Sequence, residues 1–487
     1  MKKRILFVLP LMWAIYFGLI SLDMNVVTIP LWISVLTAVV ISAVSIALIY
    51  KVRSGKGLKV SLAILCALSV FMYFFVGIIC NPYWNSNTKH KDTVITKDYD
   101  KMLTSKEAVE DLDYMMKFLK KDHPACRKGV PPEVQERYES VRSELQSIDQ
   151  ISVNDLSAKT EYVLTCLHDG HTYTLGKYDR HLLKEYYTKE LEGCEIVSVN
   201  GVSLDDLVVR CKDLYSYEAE SWELYRIKSL IISVEGLDYM GFDTSSVTYT
   251  FSKNGETFDK TYTSSDFVTS DQIAEKDDSS SEKTFVSYVI DEDHDLAIMT
   301  LDSCIINDEY RDTVKKMFTE VKAKDIGHVA VDIRNNGGGN DAVIGEFFRY
   351  LDIDEYKSCG LEWRLGPLNI KYPRRVNKNE KVDDLLFKGD FYLLTSSGSF
   401  SSAMLYAQYV KDNKVGTIIG EPPGNDPNGY GEIAVFNLPN SGILMSVSTK
   451  HFMRADKDAK GLLIEPDVPC DADDAMDRLY EITGEDK

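Results

Sequence analysis

From residue 296 onward, the apolar residues of the chain follow two alternating patterns. Short apolar runs typical of buried strands are separated by stretches whose apolar residues recur at three- and four-residue steps, as in amphipathic helices. The predicted strands are Leu296–Leu301, His328–Ile333, Phe391–Thr395 and Thr417–Gly420, and the predicted helices are Glu309–Val321, Ala342–Leu351 and Ser401–Val410. This alternation predicts βαβ units around a largely parallel sheet. A hairpin of Ile433–Asn437 and Ile443–Val447 is expected to follow.

Two other patterns precede this core. Helical spacing begins at Ser105, the expected N-cap, and returns in about Pro132–Ser147 and Asn154–Leu167, which predicts a small helical cap region. Downstream, strand-like segments flank the Asn-Gly pairs at Asn200 and Asn254. An Asn-Gly pair between alternating segments is a strong hairpin signal, so a β-rich module is expected there.

The N-terminal part holds three long apolar runs, Ile5–Ile20, Val26–Tyr50 and Val60–Cys80. Each is near the length that spans a bilayer, so the sequence predicts three transmembrane helices. Lysine and arginine lie before the first run and between the second and third, which places the N-terminus in the cytoplasm. Residue 81 onward is then expected outside the cytoplasm, in a multi-pass protein of the cell membrane. A cytoplasmic domain with one miscounted span is the alternative.

Composition and charge argue against two classes of function, nucleic-acid binding and metal binding through cysteine. A chain of 487 residues is long enough for two or three domains, and its net charge of −20 argues against nucleic acid as a partner. Its nine cysteines form no CxxC pair and no cysteine–histidine pair at metal-ligand spacing. We therefore expect neither a metal nor a cofactor. The oligomeric state is not predicted.

The segment from Ser396 to Ala403 is the most informative for function. It joins an apolar strand to the start of a helix and carries serine at five of its positions. A serine at such a junction presents its hydroxyl at the edge of the sheet, beside the free amides of the helix, where a hydrolase needs its nucleophile. The alternative is a cluster of ordinary helix N-caps, because serine is a favoured cap residue.

A second turn, Asn335-Asn336-Gly337-Gly338-Gly339, follows the predicted strand that ends at Ile333. Its glycines allow backbone amides to approach a ligand closely, which suits an oxyanion hole. Phosphate binding is the less fitting alternative, because no lysine follows the glycines. A plain loop is the other alternative.

A third candidate is the segment Leu167-His168-Asp169-Gly170-His171. A histidine in a turn can act as a general base, because its pKa lies near working pH. His168 and His171 together also suggest a metal site, but no third ligand lies nearby in sequence.

The order of short motifs resembles the tail-specific serine peptidases, also called C-terminal processing peptidases, and especially their tricorn-core-like branch. These motifs are Asp-Gly-His-Thr, Val-Asn-Gly, Asp-x-Arg-x-Asn-x-Gly-Gly, Ser-Phe-Ser-Ser-Ala, Gly-Glu-Pro and Glu-Pro-Asp-Val. The resemblance covers about residues 105–475. It implies an α/β catalytic core of the crotonase/ClpP-like type and a PDZ-like domain that binds extended peptide ends.

The resemblance also implies roles for individual residues. Ser401 matches the nucleophile and His171 the histidine base of the tricorn-like branch. The oxyanion hole would comprise the Ser402 amide and the Gly337-Gly338 turn. Glu465 is the candidate that orients the histidine, with Asp467 or Asp169 as substitutes.

Two departures from the family pattern stand out. Gly420-Glu421-Pro422-Pro423-Gly424-Asn425-Asp426 lacks the general-base lysine of the processing peptidases. Gly170 replaces the serine that precedes the histidine in the tricorn-like branch, so a relay to the histidine must be direct, water-mediated or absent.

The expected domains are a transmembrane anchor (1–80), a linker (81–104), a helical cap region (105–175), a PDZ-like domain (176–275), the peptidase core (284–475) and a C-terminal tail (476–487). The predicted function is a membrane-anchored serine endopeptidase acting on peptides or protein C-terminal tails. A catalytically silent module of the same fold that binds peptides or other ligands is the alternative.

Overall fold

The computed structural model describes residues 55–485 except 76–78, 89–91, 177–180, 189, 192, 212, 270–283 and 460, and a few scattered residues among the first 54. The chain divides into two compact units. The first comprises Met1–Thr160, Glu362–Lys371 and Glu432–Lys450. The second comprises Glu161–Leu361, Tyr372–Gly431 and His451–Lys487.

The described residues form the following helices and strands. The helices are α1 Lys56–Phe74, α2 Ser105–Asp122, α3 Pro132–Gln146, α4 Val153–Thr165, α5 Lys184–Tyr187, α6 Leu204–Cys211, α7 Glu220–Ile231, α8 Val234–Tyr239, α9 Asp308–Lys324, α10 Ala342–Phe348, α11 Ser402–Asn413 and α12 Ala475–Glu485. The strands are β1 Met102–Thr104, β2 Gln150–Ser152, β3 Tyr173–Thr174, β4 His181–Leu183, β5 Glu195–Val199, β6 Val202–Ser203, β7 Val247–Lys253, β8 Glu256–Tyr262, β9 Phe267–Thr269, β10 Val286–Asp291, β11 Leu296–Leu301, β12 His328–Asp332, β13 Glu355–Ser358, β14 Gly360–Leu365, β15 Leu368–Tyr372, β16 Arg375–Lys378, β17 Asp390–Thr395, β18 Thr417–Gly420, β19 Tyr430–Asn437, β20 Leu444–Met453 and β21 Val468–Pro469.

A six-stranded sheet forms the centre of the second unit, in the order β10-β11-β12-β17-β18-β21. The β10–β11 pair is antiparallel and the other four pairs are parallel. Successive residues of a strand point to opposite faces, so Ala297 and Met299 join one core cluster while Leu296 and Ile298 join another. Helices α9 to α11 cover the first face and α12 covers the second, which explains why these strands are apolar throughout.

The parallel pairing determines where chemistry can occur. Strands β12, β17 and β18 are neighbours, and they end at Asp332, Thr395 and Gly420. The carboxyl ends of parallel strands meet at one edge of a sheet, which is where α/β proteins bind their ligands. The glycine turn, the serine turn and the loop that contains Asn425 therefore converge there.

The second unit also contains a smaller antiparallel sheet in the order β6-β5-β7-β8. Both predicted hairpins are confirmed, since Asn200-Gly201 and Asn254-Gly255 have positive φ throughout, as tight hairpin turns require. Helices α7 and α8, which lie between β6 and β7 in the chain, were not predicted. The PDZ-like assignment and the domain boundaries stay predictions.

The first unit contains α2, α3 and the paired strands β1 and β2. The cap of α2 is Thr104 rather than the predicted Ser105, since the Thr104 side chain accepts from the Glu107 amide and the Glu107 side chain accepts from the Thr104 amide. The ring of Phe118 on α2 packs 4.5 Å from that of Phe436 in β19. Strands β15, β14, β20 and β19 lie side by side in that order.

The predicted set of three transmembrane helices is contradicted. Among the helices that the structure describes, none has both the length and the apolar character needed to cross a membrane. Ile5–Ile20 and Val26–Tyr50 lie largely outside the described residues.

Candidate active site

The serine turn connects β17 to α11 through a strained residue. Ser401 has φ 58° and ψ −118°, a conformation that costs energy for any residue with a Cβ and is concentrated at functional sites. Helix α11 begins at the next residue, so Ser401 occupies the N-cap position, yet its side chain makes no capping hydrogen bond. The N-cap alternative therefore does not explain this serine.

The neighbouring serines hold the turn in place instead. The Ser399 hydroxyl donates to the Ile333 carbonyl at 2.8 Å, and the Ser402 hydroxyl donates to the Gly339 carbonyl at 2.8 Å. The Ser396 hydroxyl donates to the Arg334 carbonyl. These bonds fasten the serine turn to the glycine turn that follows β12. No such bond is made by the Ser401 hydroxyl within the described residues.

Two asparagines complete this framework. The Ser401 amide donates to Asn425 Oδ1 at 2.8 Å, and Asn425 is 2% exposed. The Phe400 amide donates to the Asn336 carbonyl at 2.9 Å, while Asn336 Nδ2 donates to the Leu301 carbonyl at 2.8 Å. The backbone on both sides of the Phe400–Ser401 peptide is thus hydrogen-bonded to buried groups. Asn425 lies in the Gly420–Asp426 loop, and here it holds the backbone of Ser401.

The glycine turn lies against the nucleophile at Gly338. This residue has φ 105°, and a Cβ added there would lie 2.6 Å from Ser401 Cβ and 3.0 Å from the Ser402 nitrogen. The Gly338 amide is already engaged, because it donates to Asn336 Oδ1 at 2.8 Å. Within the described residues no acceptor engages the amide of Gly337 or of Ser402, the first residue of α11. Of the three residues predicted to form the oxyanion hole, Gly337 and Ser402 are therefore the two whose amides can donate to a substrate oxygen.

The structure brings His171 to the serine turn. Its ring packs on the ring of Phe400, the residue before Ser401, with centroids 4.6 Å apart. A turn fixes its backbone, because the His171 amide donates to Asp169 Oδ1 at 2.9 Å and the Thr172 hydroxyl donates to Asp169 Oδ2 at 2.6 Å. No direct hydrogen bond joins the Ser401 hydroxyl to the imidazole in this state.

Two carboxylates face the imidazole on its Nδ1 side. Asp169 Oδ1 lies 3.8 Å and Glu218 Oε1 lies 4.0 Å from Nδ1, and both side chains are almost fully buried. The other ring nitrogen, Nε2, is therefore the one available as a base. Burial lowers the pKa of His171, and the negative charge of Asp169 opposes this effect. Burial raises the pKa of Glu218 well above its ordinary value, and Asp169 and Asp426 raise it further.

The predicted orienting residue Glu465 is not brought to the histidine. Its side chain is exposed and does not come within 4.0 Å of the His171 nitrogens. Asp467, the first substitute, accepts from Lys411 Nζ at 2.5 Å and from the Ile418 amide at 3.0 Å. Asp169, the second substitute, does lie beside the ring. Glu218 was missed, because no motif marks it in the sequence.

Gly170 has no room for a side chain. A Cβ there would lie 2.9 Å from Phe400 Cζ and 3.4 Å from Trp222 Nε1. The Trp222 ring stacks on the Phe400 ring with centroids 4.2 Å apart and planes 17° apart. The serine found at this position in tricorn-like peptidases is therefore excluded here by two aromatic rings.

The ligand atoms of Asp169, His171 and Glu218 lie within 4.8 Å of one another, a spacing that a metal ion can also use. A base with adjacent carboxylates has the same composition. We assign these groups to proton transfer because they lie beside the serine turn, and the absence of a metal or cofactor stays a prediction.

Comparison with known proteins agrees with this geometry. Residues 295–470 match the family described as peptidase family S41. These residues form a peptidase family S41 domain. The chain is accordingly a serine peptidase, and the S41 domain contains both the glycine turn and the serine turn. No curated protein sequence matches the chain.

Solved structures share the fold. Mature CPAF complexed with lactacystin is 13% identical, with a TM-score of 0.56, and the match covers 78% of this chain and 97% of that one. The photosystem II D1 C-terminal processing protease is 15% identical, with a TM-score of 0.42 and coverage of 76% and 94%. The tricorn protease is 13% identical, with a TM-score of 0.35 and coverage of 78% and 37%.

Proposed function

We propose that this S41 serine peptidase cleaves peptide bonds in peptides or protein C-terminal tails, with Ser401 as nucleophile and His171 as general base. The observation that carries the proposal is the strained Ser401 at the strand–helix junction. Its hydroxyl is not used for capping, and it follows the phenylalanine on which His171 packs. The C-terminal preference is supported by the order of motifs shared with the processing peptidases.

The chemistry follows from this arrangement. Nε2 of His171 takes the proton of the Ser401 hydroxyl as the oxygen bonds to the scissile carbonyl carbon. The amides of Ser402 and Gly337 are placed to stabilise the resulting oxyanion, and one such donor is typically worth about 10²- to 10³-fold in kcat. The imidazolium then gives its proton to the leaving amine, and water hydrolyses the acyl-enzyme by the reverse proton transfers.

The serine hydroxyl and the imidazole must first approach each other, because no hydrogen bond joins them in this structure. Catalytic hydrogen bonds of this type often shorten only when substrate binds. Asp169 holds the backbone of His171 and lies beside Nδ1, so it favours the tautomer that carries its proton on Nδ1 and accepts the serine proton at Nε2.

The test combines labelling and turnover by the full chain. A fluorophosphonate probe should label the wild-type protein at Ser401, and Ser401→Ala should abolish both labelling and peptide hydrolysis while the melting temperature stays close to that of the wild type. Substrates with a free C-terminal carboxylate should be cleaved faster than amidated ones. A folded protein that neither labels nor cleaves would refute the proposal, and equal rates on the two substrates would refute the preference for tails.

We also propose that the domain acts outside the cytoplasm. The support is the distribution of lysine and arginine around the N-terminal apolar runs, which favours a cytoplasmic N-terminus, and export of the domain requires an odd number of crossings in a segment that lies largely outside the described residues. Resistance of the domain to an external protease in intact cells, with digestion only after lysis, would contradict this location.

A further inference from the structure

We propose that Glu218 is the residue that positions His171 for catalysis, by accepting a hydrogen bond from Nδ1 through its Oε1 atom. The inference rests on the proposed function and extends it. It makes the segment that leads into α7, outside the S41 domain, part of the catalytic arrangement.

The available acceptor beside the ring belongs to Glu218. Both oxygens of Asp169 already accept hydrogen bonds, Oδ1 from the His171 amide and Oδ2 from the Thr172 hydroxyl. Oε1 of Glu218 is buried and accepts no hydrogen bond of ordinary geometry from the described residues, although the Gly170 amide lies near enough to the carboxylate to lower its pKa. A buried acceptor without a donor costs about 1–3 kcal/mol, so a donor is strongly favoured there. A shift of about 1 Å would bring Nδ1 from 4.0 Å to hydrogen-bond distance.

The rest of the Glu218 side chain is held by its surroundings. Its Oε2 atom accepts from the Asp426 amide at 2.7 Å, in the loop that also contains Asn425. Gly429 approaches so closely that a Cβ there would lie 2.3 Å from Oε2. The carboxylate is thus anchored at one oxygen and has the other directed toward the imidazole.

The backbone before Glu218 is tied to the histidine turn by a separate network. The buried carboxylate of Glu161 accepts from the Ser216 amide at 3.0 Å and from the Thr174 amide at 2.6 Å. The Asp169 amide in turn donates to the Ser216 hydroxyl at 3.3 Å. Glu161 therefore couples the strand after His171 to the segment that carries Glu218.

On the other side of Glu218, α7 is docked by aromatic contacts. Trp222 stacks on Phe400 and on Tyr225, with ring centroids 4.2 Å and 5.4 Å apart. Phe400 also carries the ring of His171. The position of Glu218 relative to the imidazole is thus fixed from both directions along the chain.

This arrangement accounts for the glycine at position 170. The serine that precedes the histidine in the tricorn-like branch cannot be accommodated beside Phe400 and Trp222. Glu218 approaches the imidazole from a different segment and supplies a carboxylate directly. A relay through serine is then unnecessary.

The charges around the imidazole determine a readout that does not depend on turnover. Asp169 and Glu218 face the ring, and Asp426 lies beside Glu218. A carboxylate near a histidine stabilises the imidazolium and raises the pKa of the histidine. Burial raises the pKa of Glu218, so this carboxylate stabilises the imidazolium only in its ionised form. Replacing Glu218 by glutamine removes that charge and should therefore lower the pKa of His171.

The experiment compares Glu218→Gln with Glu220→Gln in the full chain. Glu220 is an exposed glutamate in the first turn of α7 and serves as the matched control. Glu218→Gln should reduce kcat about 10²-fold or more with little change in KM, because an orienting carboxylate acts mainly in the transition state. Glu218→Asp should recover part of this loss, and Glu220→Gln should behave as the wild type.

An NMR titration of the His171 ring in the same variants separates the two proposals. If the wild type does not label or cleave, the proposed function fails, but a lowered His171 pKa in Glu218→Gln still supports the positioning contact. If the wild type is active and Glu218→Gln changes neither kcat nor the His171 pKa, the inference is overturned and the proposed function stands. Equal losses in Glu218→Gln and Glu220→Gln with an unchanged His171 pKa would also overturn it.

Discussion

Gly338→Ala should inactivate the enzyme while leaving it folded. The added methyl group would lie 2.6 Å from Ser401 Cβ, 2.8 Å from the Phe400 carbonyl oxygen and 3.0 Å from the Ser402 nitrogen. All three atoms belong to the serine turn or to the start of α11. The methyl group would therefore act on the nucleophile and on an oxyanion donor together.

The size of the effect can be bounded from this geometry. Carbon atoms pack at about 3.5–4.0 Å, so the two turns must separate by about 1 Å. A displacement of that size at a reacting group can cost about 10²-fold in rate, and loss of one oxyanion donor costs about 10²- to 10³-fold. The unfavourable φ of 105° adds about 1–3 kcal/mol of strain, which is less than the usual total stability of about 5–15 kcal/mol.

Gly255→Ala is the matched control. Gly255 lies in the hairpin turn between β7 and β8, its φ is 81°, and a Cβ there meets no atom within 4 Å, so alanine introduces similar backbone strain without touching the serine turn. We expect fluorophosphonate labelling of Ser401 to slow about 10²-fold or more in Gly338→Ala and to be nearly unchanged in Gly255→Ala. Melting temperatures of both variants establish that the protein is folded.

Two results would refute this reasoning. Wild-type labelling by a folded Gly338→Ala protein would mean that the glycine turn does not press on Ser401. An equal loss in both variants would mean that backbone strain, and not contact with Ser401, lowers the rate of labelling.

Substitutions at two further positions, Asn425 and Asp122, test the contacts of buried polar side chains. Asn425→Ala removes the acceptor of the Ser401 amide, so it should lower the free energy of unfolding by about 1–3 kcal/mol and also reduce kcat. Asn425→Asp keeps an acceptor oxygen, so both losses should be smaller. Thermal melts and peptide hydrolysis measure the two effects. Asp122 is buried, its carboxylate makes no hydrogen bond within the described residues, and burial raises its pKa from 3.8 to about 8. The folded protein keeps a proton that the unfolded chain releases, so stability should fall as pH rises from about 4 to about 8, by at most about 6 kcal/mol from this group. Asp122→Asn should flatten the dependence of melting temperature on pH over that range, and an unchanged slope would contradict the assignment.

The sequence predicted the catalytic core because local pattern and tertiary environment agree there. The predicted strands Leu296–Leu301 and Thr417–Gly420 are confirmed at both ends, since each is a short apolar run buried on both faces of a parallel sheet. Strands β13 and β16 were not predicted, because Glu355–Ser358 and Arg375–Lys378 are short, largely polar and partly exposed. These two strands are stabilised by pairing with each other, a long-range contact that no local sequence pattern indicates.

The residues of the candidate site show the same contrast between those that local patterns predict and those that tertiary contacts bring in. Ser401 and the glycine turn follow buried strands, so sequence position alone predicts that they meet. Glu218 is brought to His171 by the docking of α7, through contacts of Trp222 and Asp426 that no local motif encodes. The transmembrane helices were predicted from the length of apolar runs, and the described helices do not bear this prediction out.

The crowding around Gly170 constrains how this site can evolve. A serine could occupy position 170 only if Phe400 or Trp222 were replaced by a smaller side chain, and either replacement would disturb the packing of the serine turn. Related chains with serine at this position are therefore expected to carry a smaller side chain at one of those two positions.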